Sequence, residues 1–229
     1  RLLVVPYLKD RYSTPVIFAG VNADAADYGY PAENVTGVLE RGHVRETLAL
    51  LKQLQPTATR VAFIANDTPS GRAVLRQIEN ESVNYDAEVC AMNTVTDSPG
   101  LSRLLSTLAS RCDALYMDGI GGLTDEQGTT LSYRQILAVV TPHFGGPVLG
   151  ANRYHVEQGA LGAVVKTGQE QGSQAAKMLQ RAMAGTSLAK LPIIRNYRGR
   201  RVINVTTLKE REIEPRPITL RGAQLVRTQ

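Results

Sequence analysis

The sequence predicts an α/β fold built on parallel sheets, and three observations predict it. Short apolar runs rich in Val, Ile and Ala recur along the chain, each bounded by turn residues, as strands buried on both faces require. Longer segments between them carry apolar side chains at helical spacing. The strand–helix order then repeats, which places helices on both faces of a sheet.

Strands are expected at residues 15–22 (PVIFAGVN), 60–67 (RVAFIAND), 87–93 (AEVCAMN), 112–119 (CDALYMDG), 147–152 (PVLGAN) and 161–166 (LGAVVK). Residues 34–39 (NVTGVL) read as a strand crossing between two units. The first helix, residues 44–54, sets Val44, Leu48, Leu51 and Leu54 on one stripe, and Pro56 stops it. A second, residues 70–80, takes Ser70 as its N-cap. A third, residues 99–109, follows Asp97 or Ser98 as cap, and a fourth covers residues 130–141. The fifth, residues 169–184, stops at Gly185. Residues 2–12 read as the end of a helix running straight into a strand, so further chain is expected upstream of Arg1. Near the other end, residues 202–205 form a short strand, and Pro215 and Pro217 impose an extended run.

With 229 residues, 43% of them apolar, the chain can bury a sizeable core. No apolar tract reaches the roughly 18 residues that a spanning helix needs. The net charge of +5 comes from scattered basic residues. The single cluster, residues 195–201 (RNYRGRR), reads as a solvated loop or ribbon, so no nucleic-acid partner is expected. Cys90 and Cys112 have no metal-ligand spacing and are expected as buried thiols, with one disulfide left open. No cofactor or metal is expected. The loop Gly119-Ile120-Gly121-Gly122 departs from a dinucleotide fingerprint because Thr124 stands at the third glycine, and there is no phosphate-binding Walker loop. His43, His143 and His155 lie in separate segments and read as surface or interface residues. Asp118 with His155 is the one pair that could serve acid–base chemistry, and no second carboxylate joins it.

Polar groups mark the strand exits. Asn22 ends the first strand, Asp67 and Thr68 the second, Asp118 the fourth and Asn152 the fifth, and Ser70 opens the following helix. In open parallel sheets ligands bind at these carboxyl ends. The residues 67–71 loop also precedes a helix N-terminus, whose free N–H groups favour a carboxylate or phosphate. Asn, Asp and Gly are ordinary turn residues as well. It is their recurrence at several exits that favours a site over coincidence.

In order and spacing these strings resemble the ABC-transporter substrate-binding family that includes tryptophan- and phenylalanine-binding lipoproteins: PVIFAGVN, ENVTGV, QLQPTATRVAFIAND, CDALYMDG, PVLGAN, HVEQGALGAVVKTGQEQGSQAAKMLQRAMAGTSLAKLP and VINVTTLKEREIEPRP. The resemblance runs from about residue 14 to residue 218. It implies a type I periplasmic-binding fold of two Rossmann-like lobes, the N-terminal one incomplete. Residues 1–36 and 166–195 would be the remnant of that lobe, residues 37–165 the C-terminal lobe, and residues 196–229 a crossing strand and tail. Asn22, Asp67, Thr68, Ser70, Asp118 and Asn152 fall where the family's ligand residues are expected. The implied function is binding, without conversion, of a small organic solute such as an amino acid. The setting would be periplasmic or otherwise extracytoplasmic, with any membrane anchor upstream of Arg1. A membrane permease would be the partner in uptake, and a sensor kinase the partner if the chain senses instead. An incomplete sheet would also favour a homodimer. An α/β enzyme and an effector core of the lactose-repressor type stay open, the latter requiring a DNA-binding motif upstream.

Overall fold

The computed structural model describes residues 4–11 and 14–228. Of the segment expected as a helix end at residues 2–12, Val4–Leu8 forms one π-type turn, and the rest of its ends lies outside the described residues. The described residues fall into two compact units, one from Arg1–Gly42 and Lys166–Arg198, the other from His43–Val165 and Gly199–Gln229.

The first unit carries a three-stranded parallel sheet. Strands β1 (Val16–Val21) and β8 (Ile194–Arg195) flank β2 (Val35–Leu39). Residues 34–39, expected to cross between units, are therefore the centre of this sheet. Gly37 permits the pairing, because a Cβ there would stand 2.3 Å from the Phe18 carbonyl oxygen. Helix α6 (Gly168–Met183) begins at Thr167, whose hydroxyl accepts from the Glu170 N–H, and ends before Gly185, which takes φ +91°. Its Met178 packs with Val38, Leu188 and Leu191 into a small core. Buried polar groups supply much of the rest. Asn34 binds the carbonyls of Leu8 and Thr14 and accepts from the Asp10 N–H, and Thr36 binds the Leu191 carbonyl.

The second unit carries a seven-stranded sheet. Its parallel part comprises β3 (Arg60–Asn66), β4 (Glu88–Val95), β5 (Ala114–Met117), β6 (Val148–Gly150) and β7 (Gly162–Val165). Strand β9 (Arg200–Asn204) runs antiparallel to β7, and β10 (Gln224–Val226) closes the order β10-β9-β7-β6-β5-β3-β4. Side chains alternate across each strand. Val61 and Phe63 face one core with Leu48 and Leu51 of α1 (Val44–Leu54) and Ile78 of α2 (Pro69–Glu81). Ala62 and Ile64 face the other, against Leu101, Leu105 and Leu108 of α3 (Ser98–Leu108) and Ile136 and Val140 of α4 (Tyr133–Val140). The helices thus cover both faces, as the periodicity requires.

Several expectations are corrected. Cys90 and Cys112 form a disulfide rather than two thiols; β4 and β5 both pair with β3, which brings the two Cα atoms to 5.9 Å, within bridging range. Thr68, not Ser70, caps α2, because its hydroxyl accepts from the Gly71 N–H at 3.0 Å. A short helix α5 (Arg153–Glu157) follows Asn152, which caps it. The tail is not simply extended. It forms α7 (Val205–Glu210), capped by Asn204, and a turn α8 (Pro217–Leu220), which Pro217 opens because helix N-termini tolerate a missing N–H. His43 and His155 are buried, while His143 is exposed as expected.

Candidate functional site at the carboxyl edge of the larger sheet

Strands β3, β5 and β6 are neighbours in the second unit, and all three run the same way. Their exits carry Asp67 and Thr68, Asp118, and Asn152 respectively, so five of the six nominated residues, Ser70 included, share one edge of one sheet. Asn22 follows β1 in the first unit; it is exposed, and its backbone carbonyl accepts from the Arg41 guanidinium at 2.9 Å.

Glycines let the loops at this edge touch. A Cβ on Gly71 would lie 2.0 Å from the Asn66 carbonyl oxygen, so the first turn of α2 rests directly on the tip of β3. Gly119, at φ +58°, brings the β5 exit against it, and a Cβ there would stand 3.3 Å from the Gly71 Cα. Asn66, itself buried, fastens the same loops: its side-chain amide donates to the Gly121 carbonyl at 2.7 Å and its N–H to that of Gly119 at 3.1 Å.

The nominated side chains sit in different local settings. Asp67 is exposed and pairs with Arg72. Thr68 uses one oxygen lone pair for its cap and keeps its O–H to donate. Ser70 is exposed on the first turn of α2, beside the positive end of the helix. Asp118 is half-buried, and its Oδ1 accepts from the Gly119 N–H at 2.7 Å. Asn152 accepts from the His155 N–H at 3.0 Å, and its Nδ2 lies 3.1 Å from His155 Nε2.

Behind this edge lies an aromatic layer that sequence reasoning missed. The Tyr133 ring stacks on that of His155, with centroids 4.1 Å apart and planes 9° from parallel. Tyr154, half exposed, meets Tyr133 edge-on at 6.4 Å. The Tyr133 hydroxyl is buried and finds no hydrogen-bond partner among the described residues. Burial pushes the Tyr133 and Tyr116 hydroxyls well above their ordinary pKa, and the negative charge of Asp118 pushes them further. Ser132 and Gln135 form a capping box that fixes where α4 starts and hence where Tyr133 points. The S-x-x-Q spacing was a readable signal; the stacking on His155 was not.

Among the described residues no cluster of His, Cys, Asp and Glu could hold a metal ion. His155 Nδ1 accepts from the Ala151 N–H, and its ring lies within the stack.

The architecture is that of a type I periplasmic-binding protein, with mostly parallel α/β units and polar groups gathered at strand exits. A family model described as ABC transporter substrate binding protein matches residues 7–224. The chain belongs to that family. It is 23% identical over 185 residues to a tyrosine-binding protein of Clostridioides difficile (strain R20291), aligning 80% of this chain with 51% of that protein. The chain thus spans about half the length of the curated relative it matches. Among solved structures it resembles the ligand-free, open form of a substrate-binding protein with adhesive properties from Clostridium difficile. The TM-score is 0.73 at 20% identity, over 96% of this chain and 72% of that one. It also resembles an ABC domain in complex with L-Trp from Streptococcus pneumonia, with a TM-score of 0.67 at 20% identity over 95% and 72% of the two chains. At these identities the structural likenesses establish the fold.

Proposed function

We propose that the chain binds a small organic zwitterion, an amino acid, and delivers it unchanged to a membrane permease for ABC-type uptake. The observation that carries this reading is the convergence of Asp67, Thr68, Ser70, Asp118 and Asn152 on one sheet edge. The contact between Gly119 and Gly71 puts a half-buried carboxylate next to the amino end of α2. The two ends of an amino acid ask for that polarity: Asp118 for the ammonium group, the Thr68–Ser70 turn for the carboxylate. Asn152 and the Thr68 hydroxyl would orient what lies between. Asn22, on the first unit, is carried by the sequence reading alone. The relative named as a tyrosine-binding protein and the similar structure in complex with L-Trp support the amino-acid class, and the aromatic layer behind Asn152 agrees with it. The disulfide supports an extracytoplasmic setting, since cytosolic thiols are kept reduced.

Titration calorimetry against the proteinogenic amino acids tests this. At least one should bind, and Asp118→Ala should weaken it by about tenfold to a hundredfold, the worth of a charge-assisted hydrogen bond. A panel with no binder, or undiminished binding by Asp118→Ala, would remove the proposal.

A further inference from the structure

A hollow of about 450 Å³ opens in the second unit. Its walls are the outer face of α4, the start of β6, the turn before β7 and the end of α7. Two arginines line it, Arg134 from α4 and Arg211 just past α7. Neither forms an ion pair among the described residues. Arg134 is exposed and has no hydrogen-bond partner there, whereas Arg211 is half-buried and spends one N–H on the Gly145 carbonyl. A guanidinium has five donors, so most of that capacity is not used within the described residues. Burial lowers the pKa of Arg211, the sign of a cation that has lost water without gaining a counter-charge. Thr228 adds a hydroxyl that accepts from the Asn204 side chain and keeps its own hydrogen. One carboxylate, Glu210, lines the same hollow, exposed at its rim. Two cations and one anion leave a net positive site.

We propose that this hollow binds a small oxyanion, a phosphate or a carboxylate, through Arg134 and Arg211. The planar fork of each guanidinium fits either group with paired hydrogen bonds. The hollow shares no lining residue with the carboxyl-edge group and is independent of the amino-acid reading: an anion here would be a second ligand.

Titration calorimetry at constant ionic strength, with millimolar inorganic phosphate in one arm and malonate in the other, reads the site and separates its two chemistries. Heat of binding is expected in at least one arm. Arg134→Gln, an exposed position whose change leaves the fold intact, should weaken binding about tenfold. Glu210→Gln should strengthen it, and Asp118→Ala should leave it unchanged. Absence of binding in both arms, or equal binding by wild type and Arg134→Gln, would overturn the proposal. Arg211→Lys adds a second check: it keeps the charge but loses the fork, and unaltered affinity would also count against the site.

Discussion

The two units reach stability by different routes. The larger one has a core on each face of its sheet, holding fully buried side chains as large as Phe63 and Tyr116, and a disulfide besides. The smaller one buries only a handful of apolar side chains around Val38 and Met178. It relies instead on buried polar groups that bind backbone. Asn196 accepts from the Arg41 N–H at 2.7 Å and donates to the Arg41 carbonyl at 3.0 Å. Glu170 accepts from the N–H groups of Tyr197 and Arg198, both at 2.9 Å, and Lys166 pairs with Glu40 at 2.8 Å. These bonds join the three places where the chain leaves the unit. Apolar burial is undirected and adds up with area, whereas each polar bond fixes one local geometry. The large unit should therefore respond to volume and the small one to single atoms.

The contrast can be broken at four points. Phe63→Ala opens a cavity between β3 and the helices and should cost about 3–5 kcal/mol in a denaturant titration. A cost under about 1 kcal/mol would mean the core collapses freely. Replacing both Cys90 and Cys112 by Ala releases a cross-link spanning 22 residues, for which chain entropy gives about 3 kcal/mol. Hydrogen exchange should show that loss in β4 and β5 while amides of β1 and β2 hold. Asn196→Ala strands two backbone groups and should cost about 1–3 kcal/mol, confined to the small unit. Faster exchange at the Arg41 amide with β3 unchanged is the expected pattern, and a uniform response would erase the distinction.

The smallest effect concerns pH. The Arg60 guanidinium and the N–H groups of Thr59 and Arg60 hold Asp113 well below the usual carboxylate range. A carboxyl that ionises more readily folded than unfolded stabilises the fold above about pH 4, the ordinary value for Asp, and loses that contribution as pH falls further. Asp113→Asn should flatten the stability curve below pH 4 in the larger unit. If the curve keeps its slope, other carboxylates carry it.

The pattern of the larger unit was legible because its signals are repetitive. The continuous apolar run Val61 to Ile64 announces a strand buried on both faces, the Leu stripes of α1 and α3 each announce a buried face, and the chain order of strands then dictates the sheet. The residues at the carboxyl edge were legible for the same reason, since topology alone puts Asp67, Asp118 and Asn152 side by side. What escaped depends on distances between remote segments. The Cys90–Cys112 bond needs β4 and β5 flanking β3; the Tyr133–His155 stack needs α4 and α5 in register; α5 itself is one short turn whose single sign was Asn152. The polar scaffold of the small unit was hidden because Glu170 and Asn196 look like solvent-facing residues until their backbone partners are known.

Gly71 and Gly119 have a final consequence. Where two stretches of main chain lie this close, no side chain of any kind can enter, so the contour of the edge is set by backbone alone. Ser70, Thr68 and Asp118 stand around that seam without forming it. If the edge binds a solute as proposed, exchanging Ser70 or Asp118 would alter the chemistry it offers while the backbone seam keeps its place; Thr68 is different, because its hydroxyl also caps α2.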